Sequence, residues 1–392
     1  MLGIRSIKRH LQIGNTCYNR SFLFKDVLIE KNQKKQRIPN DPSTYGFGKY
    51  FSNHMIDIDW DSKSGWFPPK ISPFRNFSIH PSAKSLHYAI EVFEGLKAYT
   101  GVDGKIRVFR PELNMERMQK SAMRSCLPYF DANEALLLID EMIRLDADMV
   151  PKTAGGSFYI RPFMFATEPQ LGVSEPLQAK WACFGCPVGS YFNYENGGIR
   201  LIADPENVRS WSGGVGQYKM GSNYAPTIKI AKIAAQQKFD QVMWLSGENR
   251  EITEAGAMNI FVLWTNEENE LELITPPVDS GLLLPGITRL SVLELAQELN
   301  EMKVSEKQVT MDHLVKAVRE DRVHEMFVTG TAALVGPIAE VFYTDRAKNI
   351  DETLHLKTTQ SKYKLYQRFY DMLTKIHLGQ TEKKEWQRIV NL

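Results

Sequence analysis

The sequence predicts an α/β or α+β protein of two lobes, and three observations lead to this prediction. The chain has 392 residues, roughly twice the length of a typical single domain. Short strand-like patterns alternate with amphipathic helical patterns along most of the chain. A polar segment bearing glycine and asparagine, from Gly189 to Gly198, interrupts these patterns near the middle and is the expected linker.

The composition excludes several classes of protein. A content of 43% hydrophobic and 24% charged residues is ordinary for a folded chain, which excludes a disordered or collagen-like protein. The net charge is only +2, whereas nucleic-acid or anionic-membrane binding needs a concentrated basic field. No apolar stretch approaches the ~18 residues of a membrane span, and four cysteines are too few for a disulfide framework. Small-molecule chemistry in a reducing compartment is therefore expected, with neither nucleic acid nor membrane as a partner.

The N-terminal segment carries basic but no acidic side chains as far as Phe24. On a helical wheel the apolar and basic side chains gather on opposite faces, the former being Ile4, Ile7 and Leu11 and the latter Arg5, Lys8 and Arg9. An amphipathic segment of this kind is typical of a mitochondrial transit peptide, and the alternative is an ordinary tail on a cytoplasmic protein. We expect residues 1–40 to be a targeting segment and flexible lead-in, and the location to be mitochondrial.

Residues 41–188 are expected to form a smaller N-terminal domain. Asp131 and Glu134 precede spaced apolar residues and predict a capped amphipathic helix. Residues 157–165 and 181–186 are rich in β-branched and aromatic side chains and predict two strands. The second strand carries Cys183 and Cys186, whose spacing directs the two thiols to opposite faces, and no second ligand pair accompanies them. We therefore expect buried structural thiols.

Residues 201–392 are expected to form the larger domain, after a linker at residues 189–200. The predicted elements are a proline-initiated helix at 226–239, strands at 241–245 and 259–264, a helix at 287–299 and a strand at 325–329. The eight histidines show no metal-binding spacing, so no metal site is expected.

A glycine-rich segment of the larger domain, from Gly213 to Tyr224, contains a candidate reactive amine. Tyr218 and Met220 stand where a phosphate-binding P-loop needs glycine and a hydroxyl residue, so the glycines must serve another close backbone approach. Lys219, among glycines and aromatic residues, is a candidate desolvated amine that could form a Schiff base. The ordinary alternative is a solvated surface lysine.

Three further segments offer a carboxylate and two anion sites. Residues 251–261 place Glu254 directly before a hydrophobic strand, where it is either a turn cap or a buried acid partnered with a cation. Residues 282–289 turn from an apolar run into a helix whose free amides could bind a phosphate. Residues 328–333 form a turn of small residues with hydroxyls and amides available to an anion. Each segment alone has an ordinary structural explanation, but the combination favours a functional site.

With these segments in this order, the sequence resembles the branched-chain amino-acid aminotransferases, fold type IV enzymes that depend on pyridoxal 5′-phosphate (PLP). The resemblance extends from about Tyr45 almost to the C-terminus. Its motifs are Y-A-I-E-V-F-E-G at 88–95, F-R-P-E-L-N-M-E-R at 109–117, Y-I-R-P at 159–162, the Lys219 segment, E-x-G-x-M-N at 254–259 and L-P-G-I-T-R at 284–289. It implies the two-domain fold of the D-amino-acid aminotransferase type, with a smaller α/β domain, a larger domain containing a barrel-like sheet, and a homodimer.

The resemblance implies roles in cofactor binding. Lys219 would carry PLP as a Schiff base and, when released by substrate, act as the base that moves the α-proton. Glu254 would face the pyridine nitrogen and Tyr224 the phenolic oxygen. The other implied cofactor-binding residues are Arg117, Ile287, Thr288 and Thr331, which would surround the phosphate, and Leu284, which would pack against the ring.

The resemblance also implies a substrate pocket that accepts both an aliphatic side chain and the distal carboxylate of glutamate. Arg161 would meet that carboxylate, and Val173 would reach across from the partner subunit. The α-carboxylate would rest on the amides of Ala332 and Ala333. The aromatic wall would consist of Phe47, Tyr88, Phe93, Tyr159 and Tyr191, for each of which core packing is the ordinary alternative.

Two positions depart from the pattern of relatives. Ala257 stands where many eukaryotic relatives carry threonine, so a hydroxyl contact to the substrate carboxylate is lost and the backbone must serve. Ala333 and Gly336 stand where some relatives carry a redox-active C-x-x-C, so thiol regulation by that pair is not expected.

Three functions remain open from the sequence. The favoured one is reversible transfer of the amino group of L-leucine, L-isoleucine or L-valine to 2-oxoglutarate, giving branched-chain 2-oxo acids and L-glutamate. The second keeps the fold but makes the protein a D-amino-acid aminotransferase or a PLP-dependent lyase. The third, a non-catalytic PLP-binding protein, would need a damaged Lys219 or Glu254. The Tyr159-Ile160-Arg161 strand and the Tyr88 segment favour the first.

Overall fold

Two β-sheets organise the part of the chain that the computed structural model describes, residues 20–189 and 197–392. The first lobe contains strands β1 (Leu28–Ile29), β2 (His54–Asp61), β3 (Gly65–Trp66), β4 (Lys70–Pro73), β5 (Glu91–Phe93), β6 (Leu96–Thr100), β7 (Ile106–Phe109), β8 (Ser157–Ala166) and β9 (Gln178–Val188). Its helices are α1 (Lys84–Tyr88), α2 (Pro111–Arg124) and α3 (Ala132–Leu145). The central pairs β2–β9, β9–β8 and β8–β6 are antiparallel, and the two strands predicted from the sequence are β8 and β9.

Helix α3 is the capped helix that the sequence predicts. The Asp131 carboxylate accepts hydrogen bonds from the backbone amides of Asn133 and Glu134 at 2.8 and 3.1 Å. The Glu134 carboxylate does not close a capping box, because it accepts the Phe24 amide at 2.6 Å instead. One face of the helix is buried in the core of the first lobe, through Ala135, Leu136, Leu138, Ile139, Met142 and Ile143.

The start of the described chain belongs to the first lobe. Phe22 is buried and packs against Trp66, Phe130 and Trp181. Strand β1 then pairs in parallel with β4. Residues 20–40 therefore differ from the flexible lead-in expected from their composition, because an aromatic anchor and a short strand fasten them. The candidate targeting residues 1–19 lie outside the described residues.

The two thiols of β9 are buried on opposite faces, as predicted. Cys183 packs within the main core of the first lobe, and Cys186 packs with Tyr159 and Val188 on the other side of the sheet. Burial raises the pKa of both thiols. Their environment is therefore that of structural cysteines rather than reactive ones.

The second lobe is built around a barrel. Its strands are β10 (Ile199–Ala203), β11 (Gln241–Ser246), β12 (Glu251–Ala255), β13 (Met258–Thr265), β14 (Leu271–Thr275), β15 (Lys303–Glu306), β16 (Val323–Gly330), β17 (Leu334–Asp345) and β18 (Ile350–His355). The order β12-β11-β10-β17-β16-β13 is closed by pairing between β12 and β13, which confirms the predicted barrel-like sheet. Strands β14 and β15 extend the sheet from β13, and β18 pairs with β17.

The helices of the second lobe are α4 (Thr227–Gln236), α5 (Ile287–Leu299), α6 (Met311–Arg319) and α7 (Leu365–His377). Helix α4 ends before the predicted residue 239, and Lys238 adopts a left-handed φ of 66° just beyond it. None of the helices in the described ranges has the length and apolar character needed to cross a bilayer.

The end of the chain returns to the first lobe. A last strand, β19 (Gln387–Val390), pairs antiparallel with β7. Residues 387–390 were expected in the larger domain, whereas their backbone hydrogen bonds belong to the first sheet. The division at residues 189–200 stays a prediction, because residues 190–196 lie outside the described residues.

Candidate active site

A cavity of about 180 Å³ lies where the two lobes meet and gathers most of the predicted site. The predicted residues that line it are Phe93, Arg117, Tyr159, Arg161, Lys219, Tyr224, Glu254, Ala257, Leu284, Ile287, Thr288, Thr331 and Ala332. The first lobe supplies Phe93, Tyr159 and both arginines, and the barrel side supplies the amine, Tyr224, the carboxylate and the turns. The four separate motif segments of the second lobe therefore converge on one place.

Lys219 is fastened to the first lobe by its backbone. Its amide donates to Ser121 Oγ at 2.9 Å, and its carbonyl accepts the Phe93 amide at 3.1 Å. Its Nζ atom lies 3.1 Å from the Tyr224 hydroxyl and 4.7 Å from the centre of the Phe93 ring. The amine is thus held at the cavity by two elements of the other lobe, beside a phenol and an aromatic face.

The glycines of this segment permit close packing, as the sequence predicts. A Cβ on Gly216 would lie 2.6 Å from the Leu282 carbonyl oxygen, and a Cβ on Gly221 would meet the Glu91 carboxylate at 2.0 Å. The backbone approach at Gly216 excludes a larger residue there, whereas at Gly221 the contact is with the end of the Glu91 side chain, which could move. The Gly216 approach brings the lysine loop against the segment that leads into α5.

Glu254 forms a buried ion pair at the base of the cavity. Its Oε2 atom lies 2.7 Å from Arg209 Nη1, and both side chains are less than a tenth exposed. Its Oε1 atom is within 3.4 Å of the Leu284 amide and of Asn259 Nδ2. Burial raises the pKa of Glu254, and Arg209 is the largest of the influences that act to lower it. The arginine therefore offsets the cost of holding an ionised carboxylate here.

Arg117 is also paired with a buried acid, Glu94. Its Nε and Nη2 atoms lie 2.7 and 2.9 Å from the two Glu94 oxygens, and Asn114 Nδ2 donates to Oε2 at 2.7 Å. Burial acts to raise the pKa of Glu94, but Arg117 holds it below its ordinary value. The predicted phosphate-binding arginine is therefore oriented by a carboxylate of the first lobe.

The N-terminus of helix α5 opens onto the cavity beside Arg117. Gly286 is the N-cap residue and no side chain caps the helix, so the first amides of α5 have no partner within the helix. Arg117 Nη1 donates to the Pro285 carbonyl at 2.9 Å, which places the guanidinium next to this end of the helix. A guanidinium and free helix amides together form a favourable site for a phosphate.

The substrate side of the cavity is aromatic around one cation. Arg161 Nη2 donates to the Tyr159 hydroxyl at 3.0 Å, and its guanidinium lies 4.9 Å from the Phe93 ring centre. Phe47 packs against Tyr159 with ring centres 4.9 Å apart. The Nε atom of Arg161 is buried and makes no hydrogen bond within the described ranges. A cation between two rings suits a pocket for apolar side chains that must also accept a carboxylate.

Several predicted residues do not line this cavity. Tyr88 lies outside it and donates its hydroxyl to the Leu171 carbonyl, while Val173 is 80% exposed on the following loop. Ala333 lines two neighbouring cavities, one of which shares Tyr224, Ala257, Thr331 and Ala332 with this cavity. Tyr191 lies outside the described residues.

Three side chains of the site were not predicted from the sequence, Glu94, Arg209 and Asn259, and the Thr329 hydroxyl was predicted only as part of the 328–333 turn. Glu94 and Asn259 lie inside the quoted motifs, so their motif positions were the available signal. Arg209 precedes the glycine-rich segment and gave none. Thr329 ends a predicted strand and lines the cavity with an Oγ1 atom that makes no hydrogen bond among the described residues.

The residues around the cavity fit PLP. The Glu254 Oε2 atom has an ion-pair neighbour but no hydrogen bond in the described part of the chain, and it is available to a protonated ring nitrogen. The open amides of α5 beside Arg117 suit the phosphate, and the Lys219 amine beside Tyr224 suits the aldehyde and phenolic oxygen. Within the same ranges no cluster of His, Cys, Asp and Glu is arranged to hold a metal ion.

Comparison with known proteins shows the family to which the chain belongs. A family model described as amino-transferase class IV matches residues 91–341. The cytosolic branched-chain-amino-acid aminotransferase of Caenorhabditis elegans is 45% identical over 372 residues, which cover 94% of this chain and 89% of the relative. The mitochondrial enzyme of that name from Rattus norvegicus is 43% identical over 377 residues, covering 96% and 94%.

A solved structure shows the same fold. The branched-chain aminotransferase of Thermoproteus uzoniensis, determined with norvaline, has 27% identity and a TM-score of 0.67, covering 85% of this chain and 99% of its own. Fold and site thus define a class IV aminotransferase, an enzyme that depends on PLP. Within that class, the chain belongs to the branched-chain-amino-acid aminotransferase family, as the motifs predicted. Relatives named cytosolic and mitochondrial are similarly close, so the family is compatible with either location.

Proposed function

We propose that this enzyme reversibly transfers the amino group of L-leucine, L-isoleucine or L-valine to 2-oxoglutarate, giving the branched-chain 2-oxo acid and L-glutamate. The observation that carries this proposal is the convergence of Lys219, Tyr224 and Glu254 with Arg161 and its aromatic neighbours on one cavity. The family relationship does not favour a D-amino-acid aminotransferase or a lyase.

Lys219 has the central role. PLP, when bound, supplies the electron sink that makes removal of an amino acid's α-proton feasible. Lys219 would hold the cofactor covalently and, once substrate displaces it, would take the α-proton on its Nζ atom and return it to the cofactor. Its fixed backbone favours this role, because the base must stay within reach of the amino acid's α-carbon and of the cofactor carbon that would receive the proton. The nearby Tyr224 hydroxyl would orient the amine.

Cofactor orientation would depend on the two buried ion pairs. Glu254, supported by Arg209, would keep the ring nitrogen protonated. Arg117, oriented by Glu94, would bind the phosphate together with the amides of Ile287 and Thr288 and the hydroxyl of Thr331. Leu284 would pack against the ring and exclude water from it. These contacts fix the cofactor while covalent bonds at its other end are made and broken.

Substrate choice would depend on Arg161. The rings of Phe93 and Tyr159 offer an apolar surface to leucine, isoleucine or valine. The guanidinium between them would pair with the distal carboxylate of glutamate or 2-oxoglutarate. One pocket would therefore accept both classes of side chain without a large rearrangement. The amides of Ala332 and Ala333 would hold the α-carboxylate that both share.

We also propose a homodimer in which Val173 contacts the partner subunit. The loop that carries Val173 is fastened to Lys84, whose Nζ atom lies 2.7 Å from Glu168 Oε2 and 2.8 Å from Ser174 Oγ. Leu171 and Val173 nevertheless point apolar side chains into solvent, with exposures of 62% and 80%. A partner subunit seated on this loop would cover both apolar side chains. Light scattering should give twice the chain mass, and a Val173→Asp change should shift it towards the monomer.

A mitochondrial location is proposed on the composition of residues 1–40, with a cytoplasmic location as the alternative. Fusion of these residues to a fluorescent protein tests it. Accumulation of the fusion in mitochondria would support the proposal, and diffuse fluorescence would favour the alternative.

The proposed reaction is tested with purified, PLP-loaded protein. L-leucine and 2-oxoglutarate should give L-glutamate and 4-methyl-2-oxopentanoate in equal amounts, and the reverse mixture should restore leucine. Lys219→Ala should abolish this activity and the visible absorbance of the lysine-bound cofactor. Lys180→Met, which alters a half-buried lysine paired with Asp57 and Asp59 away from the cavity, serves as the control.

Two results would contradict the proposed function. One is turnover of D-alanine with no product from L-leucine, which would indicate the D-amino-acid enzyme. The other is retention of the visible absorbance in the Lys219→Ala protein, which would place the cofactor-bearing lysine elsewhere.

A further inference from the structure

Lys97 is a buried lysine that the proposed reaction does not use. It lies on β6 opposite Tyr159 of β8, and Tyr159 is itself opposite Cys186 of β9. Residues paired across neighbouring strands project from the same face of a sheet, so the three side chains form a row on one face. The side chain of Lys97 is directed across to the second lobe, where its Nζ atom donates to the Ala332 carbonyl at 3.1 Å.

The ammonium group has little to balance its charge. Lys97 is only 9% exposed, and no described carboxylate forms an ion pair with it. The titratable groups around it are the Cys186 thiol from β9, the Tyr159 phenol from β8, the Tyr99 phenol of its own strand, and Tyr366, Tyr370 and His377 from α7, none of which is a carboxylic acid. Burial lowers the pKa of Lys97 to about 8, against an opposing effect of Cys186. Burial also lowers the pKa of His377 to about 3, so this ring is neutral near pH 7.

The hydrogen bond to Ala332 orients the peptide that follows it. In a trans peptide the carbonyl oxygen and the amide hydrogen point in opposite directions. Because the Ala332 oxygen points at Lys97, the Ala333 amide must point away from Lys97. Ala332 lines the catalytic cavity, and Ala333 lines an adjoining one that shares Tyr224, Ala257 and Thr331 with it. Both alanines also border a third cavity, on the side of the turn where Lys97 lies. The Ala333 amide is thus directed away from Lys97, which lines neither of the first two cavities.

The turn is important because Ala257, which lines the cavity beside it, has no hydroxyl to offer to an anion. With alanine at that position, the α-carboxylate depends on backbone amides, which carry only partial charge. A full positive charge behind the turn would strengthen their attraction for an anion, since the low-dielectric surroundings weaken electrostatic interactions less than water does. A buried lysine lacking a counterion is explained if a bound carboxylate provides it.

We propose that Lys97 is a positioning residue for the substrate α-carboxylate: it fixes the Ala332–Ala333 peptide and adds positive potential behind it. The inference rests on the proposed function, because it takes the turn as the carboxylate site. It assigns to Lys97 an effect on the binding of every carboxylate substrate, whatever the side chain. Arg161, in contrast, would affect only substrates with a second carboxylate.

The test is the inhibition constant of 4-methylpentanoate for the PLP-loaded enzyme, measured from pH 6.5 to 9.5 with leucine turnover as the readout. This probe carries the carboxylate and an apolar chain but no amine that titrates in this range. For the wild type the inhibition constant should rise as the pH passes about 8, because Lys97 then loses its charge. Lys97→Met should raise the constant about tenfold at pH 7 and remove the dependence near pH 8.

Two further variants separate charge from structure. Lys97→Arg keeps a cation and should restore tight inhibition. The rise of the inhibition constant at high pH should then move beyond the measured range. Lys180→Met removes a different half-buried lysine and should leave the inhibition constant and its pH profile unchanged. If Lys97→Met fails to fold, the wild-type profile and Lys97→Arg still decide the matter.

A wrong role for Lys97 and a wrong proposed function would give different results. Normal leucine turnover with a wild-type inhibition constant that is flat through pH 8, or with Lys97→Met merely less stable, would overturn the role of Lys97 alone. A loss of PLP affinity without a change in the inhibition constant would also overturn it. Absence of leucine turnover by the wild type would overturn the proposed function, and the inference with it.

Discussion

The Nη1 atom of Arg209 lies 2.7 Å from Oε2 of Glu254, with both side chains buried at the base of the cavity. The same guanidinium donates to the carbonyls of Leu282 and Gly216 at 3.2 and 3.3 Å. Arg209 thereby joins the carboxylate, the lysine loop and the segment leading into α5. Because burial raises the pKa of Glu254 and Arg209 counteracts this, the arginine governs how readily the carboxylate stays ionised.

Replacing Arg209 with methionine should impair the enzyme in a pH-dependent manner. Without the guanidinium, the pKa of Glu254 rises further, so a higher pH is needed to ionise the carboxylate. The acidic limb of the kcat profile should therefore move to higher pH, and the affinity for PLP should fall by about tenfold or more. Both quantities are measurable, by initial rates from pH 5 to 8 and by fluorescence titration with PLP.

Two variants make the Arg209 experiment specific. Arg209→Lys keeps the charge and should show a smaller shift of the acidic limb. Arg107→Met removes another buried arginine, paired with Asp103 away from the cavity, and should lower stability without moving the limb. A wild-type acidic limb in Arg209→Met would show that Arg209 does not control the ionisation of Glu254.

Glu94 should matter more to the PLP-free protein than to the loaded one. Glu94→Gln leaves the buried Arg117 without its countercharge, and breaking a buried ion pair costs about 3–5 kcal/mol. The phosphate of bound PLP would compensate Arg117, so the loss in free energy of unfolding should be smaller for the loaded protein. Urea unfolding of both forms at pH 7 measures the difference. Equal losses in the two forms would contradict a phosphate site at Arg117.

The loss in free energy of unfolding caused by Glu94→Gln should depend on pH with a definite sign. Arg117 holds the pKa of Glu94 below its ordinary value, so the pair stabilises the folded state fully above the ordinary carboxyl pKa, about 4.3. Its contribution is lost as the pH falls through the lower folded value. The deficit of Glu94→Gln should hence persist from pH 7 to pH 5 and diminish only in stronger acid.

Much of the candidate active site could be predicted because local motifs carry the residues that line the cavity. Lys219 with its glycines, Glu254 before its strand and the start of α5 each have a recognisable sequence pattern, and the barrel followed from the same resemblance. The partners of these residues were not predictable in this way. Arg209 and Glu94 become functional only through contacts with residues remote in sequence, and nothing in their immediate neighbours indicates an ion pair.

The places of Phe22 and of strand β19 in the fold were not predicted, for a similar reason. Phe22 and strand β19 are short segments without enough residues to show a period, and each is stabilised by partners far along the chain. From the sequence alone, Phe22 is a single aromatic residue in a basic N-terminal segment, which indicates a tail. In the structure Trp66, Phe130 and Trp181 surround it. Length-based division of the chain likewise cannot reveal that the last strand returns to the first sheet.

Tyr224→Phe should lower kcat while leaving the fold intact. The hydroxyl lies 3.1 Å from Lys219 Nζ, and loss of a hydrogen bond to a charged group costs about 1.5–3 kcal/mol, or roughly 10–150-fold in rate. Without the Tyr224 hydroxyl to donate to it, the phenolic oxygen of bound PLP would hold a nearby proton more strongly. The pH midpoint of the visible absorbance change should therefore move upward. An unchanged kcat and midpoint would place the phenolic oxygen away from Tyr224.

Arg161→Met should separate the two classes of substrate. Its guanidinium lies between the Phe93 and Tyr159 rings, and methionine keeps an apolar side chain of similar reach there. The KM for 2-oxoglutarate should rise by roughly 10–150-fold, the value of a charge-assisted hydrogen bond, while that for 4-methyl-2-oxopentanoate changes by less than about threefold. Arg110→Met, which removes another arginine packed on an aromatic ring, at Trp386, should change neither KM. An equal rise for both oxo acids would mean that Arg161 supports the pocket as a whole and does not recognise the distal carboxylate.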